Sequence, residues 1–378
     1  MNRDNLSALA VGIAVVALIA GFGVYFNSPS LNATAGGTGD KFVTAVSDNG
    51  TRVAIDKSQF RQAPELAGIS NYINTGEFKL ADLKGKVVLV DFWTYSCINC
   101  IRTIPYLNAW HEKYADDGLV IVGVHAPEFD FEKNPENVQA AVEKFGIQYP
   151  VVQDNEHGTW DAYQNRYWPR KYLVDDEGYI RYDHIGEGSY GETEKVIKSL
   201  LQERAANSGQ AIAIDGSVVK PDAQSVDFGQ INTPELYFGY DYARAPLGNP
   251  EGFKPEQTVT YRIADDQKFE PNTIYVSGKW ENKPAYMELE KSGVGRIVLE
   301  YSAKSVNIVA GGAATVHVSV DGKSPNTKGS DVGEDGSFAV DGQRLYNVAS
   351  HRAYGEHRLV IDVVGGEEEF QIYTLTFG

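Results

Sequence analysis

The two cysteines of this 378-residue chain stand three positions apart, Cys97-Ile98-Asn99-Cys100, close behind the run Val87-Val88-Leu89-Val90-Asp91-Phe92-Trp93. A β-branched apolar run of that length predicts a buried strand. Residues 97–114 read as a helix, so the pair sits at a strand-to-helix junction. A helix start presents unpaired N–H groups and the positive end of the dipole, which favour an anion. The thiolate is the attacking form of cysteine. Cys97, nearer the helix start, is the expected nucleophile, and Cys100, one turn in, the resolving thiol. Structural zinc needs four ligands, and the seven histidines are scattered without matching spacing. A purely structural disulfide of this span closes poorly and stabilises little. The expected cofactor is therefore none beyond a redox-active Cys97–Cys100 disulfide.

Residues 6–26 carry no charged side chain. As a helix they span about 31 Å, enough for a bilayer core. Arg3 and the amino terminus precede them, which favours an N-terminus inside, although Asp4 dilutes the signal. The small-residue stretch 33–35 lies far downstream for signal cleavage. The expectation is an uncleaved single-pass anchor with the bulk of the chain extracytoplasmic, periplasmic or at the cell surface. In an oxidising compartment a chain with so few cysteines uses them for redox chemistry rather than scaffolding. The formal net charge of −17, with no basic run, argues against nucleic acid or anionic lipid as partner.

Four regions follow from the pattern: an anchor and flexible tether (1–39), an α/β redox domain with an N-terminal extension (40–206), a linker (207–229) and a β-rich domain (230–378). In the second, 77–86 reads as a lead-in strand and turn. Strands follow at 87–92, 119–125 and 149–153, helices at 134–145 and 193–204, a helical turn at 157–163, and a hairpin around Asp176-Glu177-Gly178. The fourth holds many short alternating runs punctuated by Gly, Asn and Asp. These include 259–263, 285–289, 296–302, 306–310, 315–320, 358–364 and 369–377, as expected of a jelly-roll-like all-β sandwich.

At Asp91-Phe92-Trp93 and the cysteine pair the chain resembles the thioredoxin superfamily, in its TlpA-like branch. Three stretches resemble more narrowly the soluble C-terminal region of DipZ-type proteins: Trp93-Thr94-Tyr95-Ser96-Cys97-Ile98-Asn99-Cys100-Ile101-Arg102, Gly123-Val124-His125-Ala126-Pro127-Glu128-Phe129 and Tyr167-Trp168-Pro169. Those proteins join an electron-conducting CcdA-like membrane domain to a thioredoxin-like domain and a carbohydrate-binding-module-like β domain. The polytopic membrane part has no counterpart here. The resemblance implies a thioredoxin-like α/β fold and thiol–disulfide exchange on exported proteins. The electron partner would be a CcdA-like protein supplied in trans. Asp91 would be the buried acid that moves the proton of Cys100, Pro105 the helix-kinking proline, and Trp168-Pro169 the cis-proline step beside the cysteines. Trp93, Tyr95, Trp168 and Glu128 would neighbour the site.

Two other readings stand beside this one. Peroxiredoxins carry a Thr three residues before the reactive Cys, as Thr94 stands to Cys97, but Val90 occupies the place of their proline. Alternatively, the β domain holds a polysaccharide or partner and the redox domain is ancillary. Tyr237, Tyr240, Tyr242, Trp280, Tyr286 and Tyr354 are then the candidate stacking platforms, with core packing the competing use of each. Asp321, Asp331, Glu334, Asp335 and Asp341 do not fit a calcium loop and read as turn acids.

Overall fold

The computed structural model describes residues 56–210, 212–323 and 328–378. The expected anchor and tether, and the extension as far as residue 55, lie outside the described residues. Among the described residues no helix is long and apolar enough to cross a membrane.

The redox fold runs β1 (Asn71–Ile73), β2 (Val87–Trp93), α1 (Ile98–Tyr114), β3 (Leu119–His125), α2 (Pro135–Lys144), β4 (Val151–Gln153), α3 (Gly158–Ala162), β5 (Arg170–Val174), β6 (Ile180–Ile185) and α4 (Tyr190–Ser208). Among the described residues its strands form a six-stranded sheet in the order β1-β4-β3-β2-β5-β6. β2 is parallel to β3 and antiparallel to β5. Every residue of β2 is buried, which explains a continuous rather than alternating apolar run. On one face Val88, Val90 and Phe92 pack with Trp160, Tyr163 and Tyr172.

The expected lead-in strand at 77–86 is a short 3₁₀ turn, Leu80–Leu83. The added edge strand is instead β1, which is too short and polar to show a period. It is held by its ladder to β4 and by Asn71 Nδ2 donating to Gln153 Oε1 at 2.7 Å. α4 runs two residues past the expected end of the domain and stops at Gly209, whose φ of 69° suits a left-handed cap. The linker carries no regular element over residues 212–227 but is pinned. Lys113 and Lys198 donate to the Ser217 carbonyl at 2.7 and 2.6 Å, and Val219 N–H donates to Glu194 Oε2 at 2.9 Å.

The β-rich fold follows: β7 (Leu236–Tyr237), β8 (Thr258–Tyr261), β9 (Tyr275–Asn282), β10 (Met287–Leu289), β11 (Val294–Gly311), β12 (Ala314–Val320), β13 (Ser337–Val340), β14 (Arg344–Gly365) and β15 (Phe370–Phe377). Among the described residues hydrogen bonds join all nine into one sheet. The layers expected of a jelly-roll-like sandwich are thus not separate sheets. The sheet turns back on itself because β9, reached from β11 through β15 and β10, also pairs with the outer end of β11. The runs 296–302 and 306–310 are one strand, β11. Register shifts at Ala303/Ser305 and Val306/Asn307 bend it without breaking it. Trp280, Met287, Leu299 and Phe370 lie in the core between.

The two folds pack through aromatic side chains. Phe129 and Phe131, after β3, meet Tyr373 of β15 at 4.9 and 4.8 Å between ring centres. The Tyr95 hydroxyl donates to the Gln343 carbonyl at 3.3 Å.

Candidate active site

The chain leaves β2 at Trp93 and turns through Thr94-Tyr95-Ser96 into α1. Cys97 is the N-cap of α1, with extended backbone (φ −78°, ψ 113°), and its Sγ accepts from the Cys100 N–H at 3.3 Å. Sulfur thus takes the place that a Ser or Asp oxygen holds at most helix starts. The first turn is clamped from outside. Arg102, buried, donates to Asn99 Oδ1 and to Glu187 Oε2, each at 2.7 Å, and Thr103 Oγ1 donates to the Asn99 carbonyl at 2.9 Å. Pro105 lies inside the helix.

Cys97 is half-buried and Cys100 buried, both as free thiols. Burial pushes the Cys100 thiol well up, and the neighbouring Cys97 adds to it. Asp91, on β2, is within electrostatic reach of Cys100 and only 1% exposed. Burial pushes its carboxyl up to about 7, against the pull of Lys171. Asp91 and Lys171 are register partners across β2 and β5. Burial lowers the Lys171 ammonium in turn, and its Nζ donates to the Gly186 carbonyl at 3.0 Å. Both shifts run toward the neutral forms, so the cost of taking the charges out of water exceeds their mutual attraction.

The Trp168–Pro169 bond is cis. The Trp168 indole N–H donates to the Ala126 carbonyl at 2.9 Å and its ring packs on Trp160 at 4.3 Å. A cleft of about 520 Å³ opens here, lined by Cys97, Glu128 and Trp168 from the redox fold and by Glu235, Tyr237 and Arg244 from the β-rich fold. Glu128 Oε1 accepts from the Tyr237 hydroxyl at 2.7 Å, and its backbone carbonyl accepts from Tyr242 at 2.9 Å. Burial, then the nearby Glu235 and Glu132, push the Glu128 carboxyl up to about 8.

The sequence-expected residues therefore divide. Cys97, Glu128 and Trp168 line the cleft, while Cys100 and Asp91 lie beneath it. Trp93 and Tyr95 do not reach it. Trp93 is buried edge-on to His125, and Tyr95 stacks on His125 and lines a different cavity of about 740 Å³. Residues of a tight turn leave on divergent vectors, which spacing along the chain cannot reveal. The Thr94 hydroxyl is fully buried, 3.3 Å from His125 Nε2, so the group that a peroxidase would aim at its substrate is held against an imidazole. Trp280 is no stacking platform: it is fully buried, its indole N–H donating to the Ser277 carbonyl at 2.9 Å. Tyr237 and Tyr242 face Glu128, Tyr286 packs on Tyr373, Tyr240 donates to Glu256, and Tyr354 accepts from the Asp227 N–H. Asp331 and Asp335 accept hydrogen bonds at their own loops, from Asn347 and Ser337.

Lys171, Glu235, Tyr237 and Arg244 enter the site without having been expected there. Lys171 had a signal: a lysine inside the strand Arg170-Lys171-Tyr172-Leu173-Val174 is a charge in a buried element and needs a partner. The other three come from the second fold, and nothing local ties them to the cysteines.

Residues 61–183 match the AhpC/TSA family, and residues 233–378 match the family described as Thioredoxin like C-terminal domain. Protein DipZ of Mycobacterium bovis is 40% identical over 265 residues, covering 69% of this chain and 36% of DipZ. The chain thus spans about a third of that relative's length. The thiol-disulfide oxidoreductase YkuV of Bacillus subtilis is 32% identical over 141 residues, 37% of this chain and 94% of YkuV. The thiol-disulfide oxidoreductase ResA of Bacillus thuringiensis is 30% identical over 124 residues, 33% of this chain and 69% of ResA. Nearly all of YkuV and two thirds of ResA find their counterpart here, and the chain belongs to the thioredoxin-like thiol–disulfide oxidoreductases.

Proposed function

We propose that this oxidoreductase is tethered to a membrane by residues 6–26 and exchanges dithiols with disulfides of exported proteins outside the cytoplasm. One observation carries the chemistry: Cys97 caps α1 at an open cleft while Cys100 lies buried within electrostatic reach of Asp91. Cys97, as thiolate, attacks a substrate disulfide. A Cys97–substrate bond forms and the first substrate sulfur leaves. Cys100 then gives its proton to Asp91 and attacks Cys97, releasing the second substrate sulfur. A carboxyl titrating at about 7 is matched to proton transfer near neutral pH. Lys171 is a positioning residue that keeps Asp91 from rising further. The charge-free run at 6–26 supports the tether, the likeness to the thiol-disulfide oxidoreductases YkuV and ResA supports the exchange, and the redox partner of this reading is a CcdA-like membrane protein.

The test is the reduction potential of the Cys97–Cys100 couple in glutathione and dithiothreitol buffers. A value near or below about −250 mV marks a reductant, and one above about −150 mV an oxidant. Absence of a reversible couple overturns the reading.

A further inference from the structure

Part of the cleft that Cys97 lines is made by the β-rich fold, whose Glu235 and Tyr237 meet Glu128 of the redox fold there. Glu235 and Tyr237 are two apart on an extended segment, so their side chains leave on one side. The Tyr237 hydroxyl donates to Glu128 Oε1 at 2.7 Å, and the Glu235 carboxyl lies within electrostatic reach of both. A phenol has one proton to donate. That proton goes to Glu128, and two carboxyls this close in one cleft repel when both are ionised, so one of them is held protonated. The arrangement therefore stores one proton between Glu128 and Glu235. Glu132, Tyr242 and Arg244 also face Glu128: Glu132 accepts from its backbone N–H at 2.6 Å, Tyr242 donates to its carbonyl, and Arg244 stacks on Tyr237 at 5.3 Å. Arg166 lines the same cleft.

We propose that the Glu128–Tyr237–Glu235 group is the proton store for the substrate sulfur that leaves the cleft, so that the β-rich fold completes the redox site. This rests on the exchange reaction proposed above. When Cys97 attacks, the Cys97–substrate S–S bond forms, the substrate S–S bond breaks, and the departing thiolate takes the stored proton. Both carboxyls are then ionised, facing Arg244 and Arg166, until solvent returns a proton. Asp91 serves Cys100, and the carboxyl pair serves the substrate. In the oxidising direction the pair accepts the proton of the incoming thiol. Electrons pass only between sulfurs.

A proton matters for a leaving thiol of high pKa and not for one that is stable as an anion. The experiment is a single-turnover stopped-flow comparison on the reduced full-length protein, with hydroxyethyl disulfide and with dipyridyl disulfide, from pH 5 to 9. Wild type, Glu235→Gln, Glu128→Gln and the near-isosteric Tyr237→Phe are compared. The ratio of alkyl to aromatic rate at pH 7 should fall about tenfold or more in the variants. In wild type that ratio should decline as pH rises through about 8, where Glu128 loses its proton. Equal slowing with both disulfides means that the group only holds the two folds together and overturns the proposal. So does an unchanged ratio in Tyr237→Phe. Failure of reduced wild type to react with either disulfide overturns the exchange reading itself.

Discussion

Asp91 shows how one residue links stability to chemistry. Its carboxyl is raised to about 7 in the folded protein, from an ordinary value of 3.8, chiefly by burial. The folded state therefore binds more protons than the unfolded state between those values, and stability falls as pH rises from about 4 to about 7, then levels. Asp91→Asn removes the charge that has to be buried. At pH 8 the variant should be more stable by roughly 2–4 kcal/mol, with little gain at pH 4, while resolution by Cys100 slows. Urea midpoints of both proteins across pH 4–8 check this, and parallel curves would refute it. Asp91 was legible in the sequence because it interrupts an apolar strand at a fixed distance from the cysteines. Its partner Lys171 lies 80 residues away and meets it only through the β2–β5 register.

At the scale of elements, α4 is tied to the β5–β6 hairpin by buried charge. Arg181 of β6 donates to Asp175 Oδ2 at 3.0 Å and to Glu203 Oε1 of α4 at 2.9 Å, and Lys57 Nζ lies 2.9 Å from Asp175 and 3.2 Å from Glu203. These two carboxylates, with Asp176, are engaged by cations of the chain itself. Arg181 and Asp175 are each 2% exposed, so removing one partner strands a charge away from water. Glu203→Ala should cost about 3 kcal/mol and raise hydrogen exchange along α4 before the rest of the fold. A loss of only a few tenths in a denaturant melt would show that the network contributes little. The helix itself was expected at 193–204, and it runs on to Ser208 before its capping glycine. The network was not, since its members share no sequence neighbourhood.

Across the whole molecule, residues 57–378 form one compact unit, although two folds with separate cores lie within it. Phe129, Phe131 and Tyr373 join those cores. Calorimetry of the full chain should therefore give a single unfolding transition, and Tyr373→Ala should split it into two by opening a cavity at the junction. Two transitions in the unmodified protein would contradict the coupling. The same junction brings Glu235 and Tyr237 to the cleft that Cys97 lines, so splitting the transition should also slow exchange.

The sequence by itself determined the chemistry. A strand, a Cys-x-x-Cys and a helix start are neighbours along the chain, and their physics is local: burial pattern, helix dipole, thiolate reactivity. It also determined that a β-rich fold follows a linker. Only the tertiary structure decided that Trp93 and Tyr95 turn away from the cleft. It alone paired Lys171 with Asp91, ran β11 as one bent strand, and closed the redox site with side chains from the second fold. Each of these depends on register or on packing between segments far apart in the chain, where the energies are set by burial that no local pattern records.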